Sequence, residues 1–565
     1  MTGRALPLSA RSGFWLGVMG AALLIGAYLR LEQIAIQVLI DDEWHAVHQF
    51  ITRMPRDMFL DFGYADYSIP LGILDWYQAQ WWGVSELTLR WPMLVCGLAT
   101  LVVLPLYVAG PLGRPTAAVF ALLIAQSPLL VIFSRMARPY AITLLLGWIA
   151  HGAYQRYSPG EHATGHGTAR GQVAAGATYA VAAALATWLH PVIGPFVAAP
   201  LLWGLVQVRD VPPADRHAAL LRWLALAVAT GALTAAVVLP PLLAHPLSLA
   251  AKGGIDAPDA QTLLGVWYAW FGTPATGVVL ACLALAVLGF PQVWRAIPAA
   301  RTGALGLLLT FLLVAATGPM WSHLPVTISR YLLPIVPLLL LAVAAGTVRL
   351  AERIAVPPTG PRRALALLTM AVPVALLAVA SPLAPLLRRP NAQTQHLVNY
   401  IDFRPDHNPY VPQFAAMPLS PFWADLAARP PGSVRIAAAP FYFESYDWDA
   451  PRWERLSTQT VVPGYLTGLC VDRRAGEMPR DPRYRFANAV HLADADDLAA
   501  KGIDFVAWQK PYLLDVAGHS APIGADTASC EGVLREKFGA PAFEDSHIIV
   551  FPVPHRNRPA AHAPR

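Results

Sequence analysis

The sequence predicts an α-helical polytopic membrane protein of about eleven transmembrane helices, joined to a small α/β domain near its C-terminal end. Three observations lead there. Of the 565 residues, 56% are hydrophobic and only 13% charged. Apolar runs of about 20 residues, each the length of one bilayer crossing, recur through the first two thirds of the chain. From Arg388 onward the pattern stops, and a polar, aromatic and proline-bearing segment follows with no run of membrane length. The chain divides accordingly into a membrane domain, 1–387, whose first outer loop is 41–90, and a linker with a small domain, 388–565.

In order, the spans are predicted near 14–37, 91–109, 115–133, 139–156, 174–190, 192–208, 219–243, 264–294, 302–322, 326–348 and 364–387. With the N-terminus cytoplasmic, the inner connections carry Arg4, Arg11, Arg114, Arg156, Arg170, Arg209, Arg216, Arg222, Arg295, Arg301, Arg349, Arg353, Arg362 and Arg363. Against them stand only Glu161, Asp210, Asp215 and Glu352. Such an excess of cations on one side is the positive-inside pattern. It assigns the net charge of +6 to topology and excludes nucleic acid as a partner. An odd number of crossings carries the C-terminal domain to the side of residues 41–90, the periplasmic side of a bacterial inner membrane. The first apolar stretch leads into more membrane without a small-residue cleavage site, so no cleaved signal peptide is expected.

Directly after the first span stand Asp41, Asp42, Glu43, Trp44 and His45. Acids placed where a helix leaves the membrane are costly and point to function. A helix N-terminus favours acids by about 0.3–1 kcal/mol each, and three in a row exceed what a cap uses. Within the same loop, Pro70–Gly83 sets Leu71, Leu74, Tyr77, Gln78 and Trp81 at helical spacing. It is too short to cross and predicts an interfacial helix, with Trp76, Trp81 and Trp82 as headgroup anchors. Asp57, Asp61 and Asp66 read as solvated loop acids.

The next outer turn runs Ser134-Arg135-Met136-Ala137-Arg138-Pro139-Tyr140. Two arginines three apart at one helix end either converge on a phosphate or reach separately to lipid headgroups. Further outer turns bring His190, His323, Arg330 and Tyr331. All of these fall on the side of the acids, which favours a shared site.

In the C-terminal part, Val434–Ala439, Phe505–Trp508 and His547–Val553 read as strands and Asp494–Lys501 as a short helix. Residues 388–432 read as an extended connection along the membrane part. Cys96 and Cys282 fall in spans as small core residues. Cys470 and Cys530 share an oxidising compartment and form a disulfide candidate. No Cys/His spacing suggests zinc. Tyr442, Tyr446, Trp448 and Trp453, with Glu444, Asp447 and Asp449, suit either sugar stacking or a packed domain edge.

The first helix followed by Asp42-Glu43, the segment Pro70–Pro92, the turn Ser127–Tyr140 and the late run Ser329–Leu340 together resemble bacterial GT-C glycosyltransferases. These include protein O-mannosyltransferases and the aminoarabinose transferases of lipid A. The resemblance covers about 14–350 and does not extend to the external domain. It departs at Tyr67-Ser68-Ile69-Pro70, where many relatives enter the interfacial helix through His- or Lys-Pro-Pro, so donor and acceptor identity do not carry over. It implies a polyprenyl-phosphate sugar donor, inversion at the anomeric carbon, and Asp42 as the catalytic acid residue of the motif.

The residue chemistry is consistent with that implication. A positioned carboxylate takes the proton of an acceptor hydroxyl as it attacks, which makes Asp42 the expected general base, with Asp41 and Glu43 as supporting acids. His45 is expected to bond the acids or a donor oxygen. The lipid phosphate leaves without a strong acid but needs preorganised cations. Arg135, Arg138 and Arg330 are the candidates, with Tyr140 and Tyr331 as hydroxyl donors and His190 as a further contact. A divalent metal between Asp42 and Glu43 is the alternative source of charge, and none is expected to be obligatory. The acceptor is a lipid, a glycan or a protein. Two other classes stay open: a polyprenyl-linked sugar transporter or flippase, and a non-catalytic envelope assembly protein. Transporters place ionisable groups near the midplane and often show repeated halves; here the charges gather at one surface and no repeat is found.

Overall fold

The computed structural model describes residues 12–32, 34–35, 39, 41–62, 68–157, 169–254, 256–319, 321–356, 359–381, 383, 416–441, 453–454, 456–471, 479–516 and 519–554. Of 12, 41, 42, 169, 516, 519 and 521 only the backbone is described. The protein is a bundle of apolar helices with a small C-terminal sheet.

Helix α1 (Ser12–Leu31) is followed by the first loop, built from α2 (Asp41–Thr52), α3 (Pro55–Phe59) and α4 (Ile69–Trp81). At 13 residues, α4 is about 20 Å long and falls short of the roughly 30 Å hydrocarbon core, as the interfacial prediction requires. α5 (Glu86–Leu112) opens on a capping box in which Ser85 and Thr88 satisfy each other's backbone N–H. Then come α6 (Arg114–Ala125), α7 (Pro128–Arg135), α8 (Tyr140–Tyr157), α9 (Ala169–Leu189), α10 (Gly194–Gln207) and α11 (Pro213–Ala244). The membrane part ends with α12 (Leu247–Ala250), α13 (Ala260–Phe271), α14 (Thr276–Ala296), α15 (Pro298–Thr317), α16 (Pro325–Tyr331), α17 (Ile335–Ile354) and α18 (Gly360–Ala380).

Three predicted spans are corrected. The run 115–133 is bent by 58° between α6 and α7, because Pro128 cannot continue the helical ladder. The run 264–294 is two helices, since Gly272 closes α13 in the left-handed region at φ 68 and Pro274 follows. The run 326–348 is α16 and α17, parted before Ile335 at Pro334. Close approach of α14 and α17 explains Gly289 and Gly346. A Cβ on Gly289 would lie 2.0 Å from the Ala342 carbonyl oxygen, and one on Gly346 would lie 1.9 Å from that of Leu285. Without a hydrophobic drive between helices in lipid, such small-residue contact lets backbones pack.

Among the described residues, 9 helices are long and apolar enough to cross a membrane, and the bent pair α6–α7 makes up to 10. α8 has the length but carries His151, Gln155 and Arg156. Parity decides its path. The C-terminal domain touches the first loop, as shown below, so an even number of crossings must separate them. With the bent pair α6–α7 counted as one crossing, the crossings after that loop are odd in number without α8 and even with it. His151 is no obstacle, because Thr302 Oγ1 at 2.7 Å and the Phe196 carbonyl at 3.0 Å occupy both its ring nitrogens.

The C-terminal domain is a six-stranded sheet of order β3-β2-β1-β4-β8-β7. Its strands are β1 (Arg435–Ala439), β2 (Thr460–Tyr465), β3 (Val490–His491), β4 (Phe505–Gln509), β7 (Phe543–Glu544) and β8 (Ile548–Pro552). The first four are parallel, while β8 runs antiparallel to both β4 and β7. β5 (Tyr512–Val516) and β6 (His519–Ile523) form a separate hairpin. Helices α20 (Ala495–Ala500) and α21 (Cys530–Phe538) supply Leu498, Leu534 and Phe538 to the core of one face. α19 (Pro421–Leu426) buries Phe422, Trp423 and Leu426 on the other face. Residues 416–432 therefore belong to this layered unit and are not part of an extended connection; 388–415 lie outside the described residues. Trp423 stacks on Trp453 at 4.8 Å, so Trp453 is a packed core residue. Tyr442, Glu444, Tyr446, Asp447, Trp448 and Asp449 lie outside the described residues. Cys470 and Cys530 are disulfide-bonded, tying the turn after β2 to α21.

Candidate active site

The acidic segment opens α2, and its third acid is the one whose side chain the structure describes. Glu43 is 1% exposed and receives Arg90 Nε at 2.8 Å and Arg90 Nη2 at 2.7 Å, a bidentate pair. The same carboxylate accepts the Ala137 N–H at 2.9 Å. Arg90 reaches on to the Ile34 carbonyl at 2.8 Å. One buried ion pair thus fastens α2 to α5, to the link after α1, and to the turn between Arg135 and Arg138. Sequence analysis expected Glu43 to support the base; in the structure its oxygens accept from Arg90 and from the Ala137 N–H. Arg90 was missed because it sits five residues inside α5, where it reads as an entry cation. The Asp41 and Asp42 side chains lie outside the described residues. His45 is half-buried, one turn beyond Asp42 on α2.

The two arginines of the outer turn part company. Arg135 Nη1 donates to the Leu29 carbonyl of α1 at 3.0 Å. Arg138 is 7% exposed in the short bend where its own N–H donates to the Met136 carbonyl at 2.7 Å. A third cation, Arg30, which the sequence hid at the end of α1, is buried beside them. It donates to the carbonyls of Ala125 at 3.0 Å and Ile124 at 3.4 Å, closing the C-terminus of α6. It also reaches Ser134 Oγ at 3.2 Å.

Tyr140, His190, Arg330 and Tyr331, drawn from three distant segments, form one cluster. The His190 ring lies 5.3 Å from that of Tyr140 and 5.5 Å from that of Tyr331. The Arg330 guanidinium stands 5.7 Å from the Tyr140 ring centre and 5.5 Å from that of Tyr331. Aromatic faces suit a guanidinium at this range. His323 does not join them; it pairs with Asp256 in a neighbouring turn. From Leu332 and Ile335, just past Tyr331, an apolar groove of about 690 Å³ extends between α13, α14, α15 and α17.

Two features of the first loop escaped the sequence analysis. Asp75, not singled out there, is 3% exposed and accepts from Gln78 Nε2 at 2.9 Å. Gln78 in turn accepts from Trp91 Nε1 at 2.7 Å. Burial pushes the Asp75 carboxyl well above the ordinary carboxylate range, and the Gln78 bond opposes this only in part.

The second is the closure of the loop by the C-terminal domain. Trp44, 2% exposed, is boxed by Phe441 at 5.1 Å, Phe486 at 5.9 Å and Tyr465 at 6.0 Å. Val84 bridges the domain's backbone, donating to the Arg483 carbonyl and accepting from the Arg485 N–H, each at 2.7 Å. Gly83 precedes it at φ 81, where a Cβ would meet the Arg483 carbonyl oxygen at 2.9 Å. Glu86 accepts the N–H groups of Ala487 at 3.1 Å and Asn488 at 2.8 Å. Among the described residues, no three His, Cys, Asp or Glu side chains gather as a metal would require; the Asp41 and Asp42 side chains fall outside that statement.

No family model matches the chain, and no curated protein matches it. Solved structures do. The chain is similar to ArnT from Cupriavidus metallidurans bound to undecaprenyl phosphate, at 12% identity and TM-score 0.42, covering 96% of this chain and 98% of that one. It is also similar to the Archaeoglobus fulgidus oligosaccharyltransferase tethered with an acceptor peptide, at 12% identity and TM-score 0.39, covering 91% and 74%. Arabinosyltransferase EmbB from Mycobacterium smegmatis matches at 15% identity and TM-score 0.37, covering 74% and 43%. All three are GT-C glycosyltransferases.

Proposed function

We propose that the protein is an inverting glycosyltransferase, moving a sugar from a polyprenyl-phosphate donor to a lipid, glycan or protein acceptor on the periplasmic face of the bacterial inner membrane. The observation that carries this reading is the Glu43 junction. It sets the helix bearing Asp42 against the turn bearing Arg138, so a base and a phosphate-binding cation share one small region. The charge asymmetry of the loops supports the periplasmic side.

In the proposed reaction, Asp42 accepts the acceptor's hydroxyl proton while that oxygen attacks the anomeric carbon from the face opposite the phosphate. The bond from that carbon to the phosphate oxygen breaks with its electron pair on the phosphate, and configuration inverts. Arg138 and Arg330 hold the developing phosphate charge in a site poor in water, where fixed cations act most strongly. Tyr140, Tyr331 and His190 line the space beside it. Arg135 and Glu43 hold the frame, and His45 and Asp41 flank the base. The groove that begins at Leu332 offers the donor's polyprenyl chain an apolar path. No metal is obligatory in this scheme.

Membranes containing the protein, incubated with labelled polyprenyl-phosphate sugars and envelope extracts, test it. Transfer is expected, and Asp42→Asn is expected to abolish it. Transfer that survives Asp42→Asn removes the base assignment, and Arg138→Ala with unchanged donor affinity removes the phosphate assignment. Absence of transfer from every donor would favour a transporter or an assembly role.

A further inference from the structure

The first turn of α2, which carries Asp42, is held from two sides by two neighbouring residues. Glu43 ties it inward to Arg90. Trp44 ties it outward. Its Nε1 donates to the Leu39 carbonyl at 3.0 Å, which closes residues 39–44 into one ring of chain with Asp42 inside it. The three rings that box its indole all come from the C-terminal domain, and from separate segments of it. Phe441 follows β1, Tyr465 ends β2 and Phe486 precedes β3. Phe441 and Tyr465 also pack edge to face at 5.2 Å, so two walls of the box brace each other.

Attachment of the domain has other means. Val84 pairs its backbone with Arg483 and Arg485, Glu86 accepts two backbone N–H groups, and Gln80 Oε1 accepts from Arg483 Nη1 at 2.6 Å. These contacts fall on the end of α4 and the start of α5. The box falls elsewhere, two residues from Asp42, on a turn that needs an outside hold. The first N–H groups of a helix have no carbonyl one turn earlier to bond, so a first turn frays readily, and α2 has only 12 residues. An indole that is 2% exposed fixes that turn where the helix alone would leave it loose. Glu86 adds an indirect hold. It stands one turn before Arg90 on α5, so the domain also grips the helix that grips Glu43.

We infer that the C-terminal domain is a positioning element of the reaction: through Trp44 and its box it holds the first turn of α2, and with it Asp42, in the setting that transfer requires. Trp44 is a positioning residue and acts through Asp42. This rests on the glycosyltransferase reading and gives a task to the domain that the sequence resemblance does not cover. A reacting group displaced by about 1 Å loses on the order of a hundredfold in rate. The side chains assigned to the donor phosphate stand on other elements, so donor binding is spared.

Full-length protein in nanodiscs tests this, with a labelled polyprenyl-phosphate sugar that the wild type transfers and a saturating envelope extract as acceptor. Trp44→Leu and, from the other domain, Phe441→Leu should each lower kcat about tenfold or more. The donor KM and the binding of undecaprenyl phosphate should stay within about twofold, as for a group that matters only in the transition state. Trp44→Phe, which keeps a ring in the box, should retain most of kcat. The double variant Trp44→Leu/Phe441→Leu should fall little below either single one, because both open the same contact. Turnover is expressed per undecaprenyl phosphate bound, so unfolded protein is not counted. If Trp44→Leu does not fold, Phe441→Leu carries the test alone. Full kcat in the folded variants, or a loss of kcat matched by an equal loss of donor affinity, overturns the inference and leaves the glycosyltransferase reading intact. Transfer that survives Asp42→Asn, or no transfer by the wild type from any donor, instead removes the base assignment or the whole reading, and the inference with it.

Discussion

Glu43 offers the sharpest separation between an acid that reacts and an acid that holds. Its carboxylate meets Arg90 at 2.7 and 2.8 Å, and both side chains are essentially shielded from solvent. At that range the attraction is about 6 kcal/mol with an effective dielectric near 20. Desolvating the two ions offsets most of it, so the pair is close to neutral against a packed apolar pair. Removing one partner is different, because it strands the other charge, at a cost of about 3–5 kcal/mol. Glu43→Gln and Arg90→Met should each destabilise by that amount. The double variant should lose far less than the sum, giving a coupling of several kcal/mol. Denaturant titration in mixed micelles measures all three. Glycosyl transfer by Glu43→Gln should fall together with stability and recover partly when a stabilising lipid is added. Abolished transfer with unchanged stability, or additive single effects, would refute the anchoring role.

Three further outcomes follow from the geometry. Trp44→Ala should free the C-terminal domain from α2, lose about 3–5 kcal/mol and expose the 479–490 segment to limited proteolysis, whereas Trp44→Phe should keep most of the contact. Burial raises the Asp75 carboxyl, so the folded state binds more protons there than the unfolded one, and its contribution to stability declines as pH rises from the ordinary carboxylate value. Asp75→Asn should flatten that decline, which paired unfolding curves at pH 5 and 8 would detect. His491 is shifted the other way: burial lowers it from 6.5 to about 4, with Asp497 opposing and Lys501 and Arg480 adding to the shift. The C-terminal domain should therefore lose stability as pH falls from 6.5 to 4, by at most about 3 kcal/mol, and His491→Gln should remove that slope.

Much of the fold was legible because lipid imposes a strong rule on sequence: runs of about 20 apolar residues with cations at one side leave little choice of architecture. What was not legible has local causes. Three spans were broken at Pro128, Pro274 and Pro334, where hydropathy stays high while the helical ladder cannot continue. α8 reads as a weak span because a buried histidine looks polar until Thr302 and Phe196, far along the chain, are seen to satisfy it. In the site, Tyr140, His190, Arg330 and Tyr331 were all named from their positions at outer helix ends, and they do meet. Arg30, Arg90 and Asp75 were not singled out, since a charge inside or beside an apolar run looks the same in sequence whether it faces lipid headgroups or a buried partner. The β2 strand, Thr460–Tyr465, escaped because Pro463 and Gly464 interrupt its pattern.

The cations Arg30, Arg135, Arg138 and Arg330 share one structural circumstance. Each stands at or beside the end of a helix: Arg30 near the end of α1, Arg135 at the end of α7, Arg138 in the link to α8, and Arg330 near the end of α16. In lipid a stopped helix leaves carbonyls that no water can satisfy, so the protein must supply donors. Arg30 does this for Ala125 and Ile124, and Arg135 does it for Leu29. Helix C-termini also carry partial negative charge, which favours cations near them. Breaking several helices within an apolar bundle therefore gathers arginines at the broken ends before any substrate is considered. A phosphate-binding site is then a modest step, in which one or two of these cations, Arg138 and Arg330 in the scheme above, face the ligand while the rest keep the broken ends satisfied. The same reasoning separates the roles by variant. Arg30→Met should destabilise the bundle and leave the affinity of the remaining folded protein for undecaprenyl phosphate unchanged, while Arg330→Met should do the reverse. If both variants lost stability and affinity in proportion, the division between frame and site would fail.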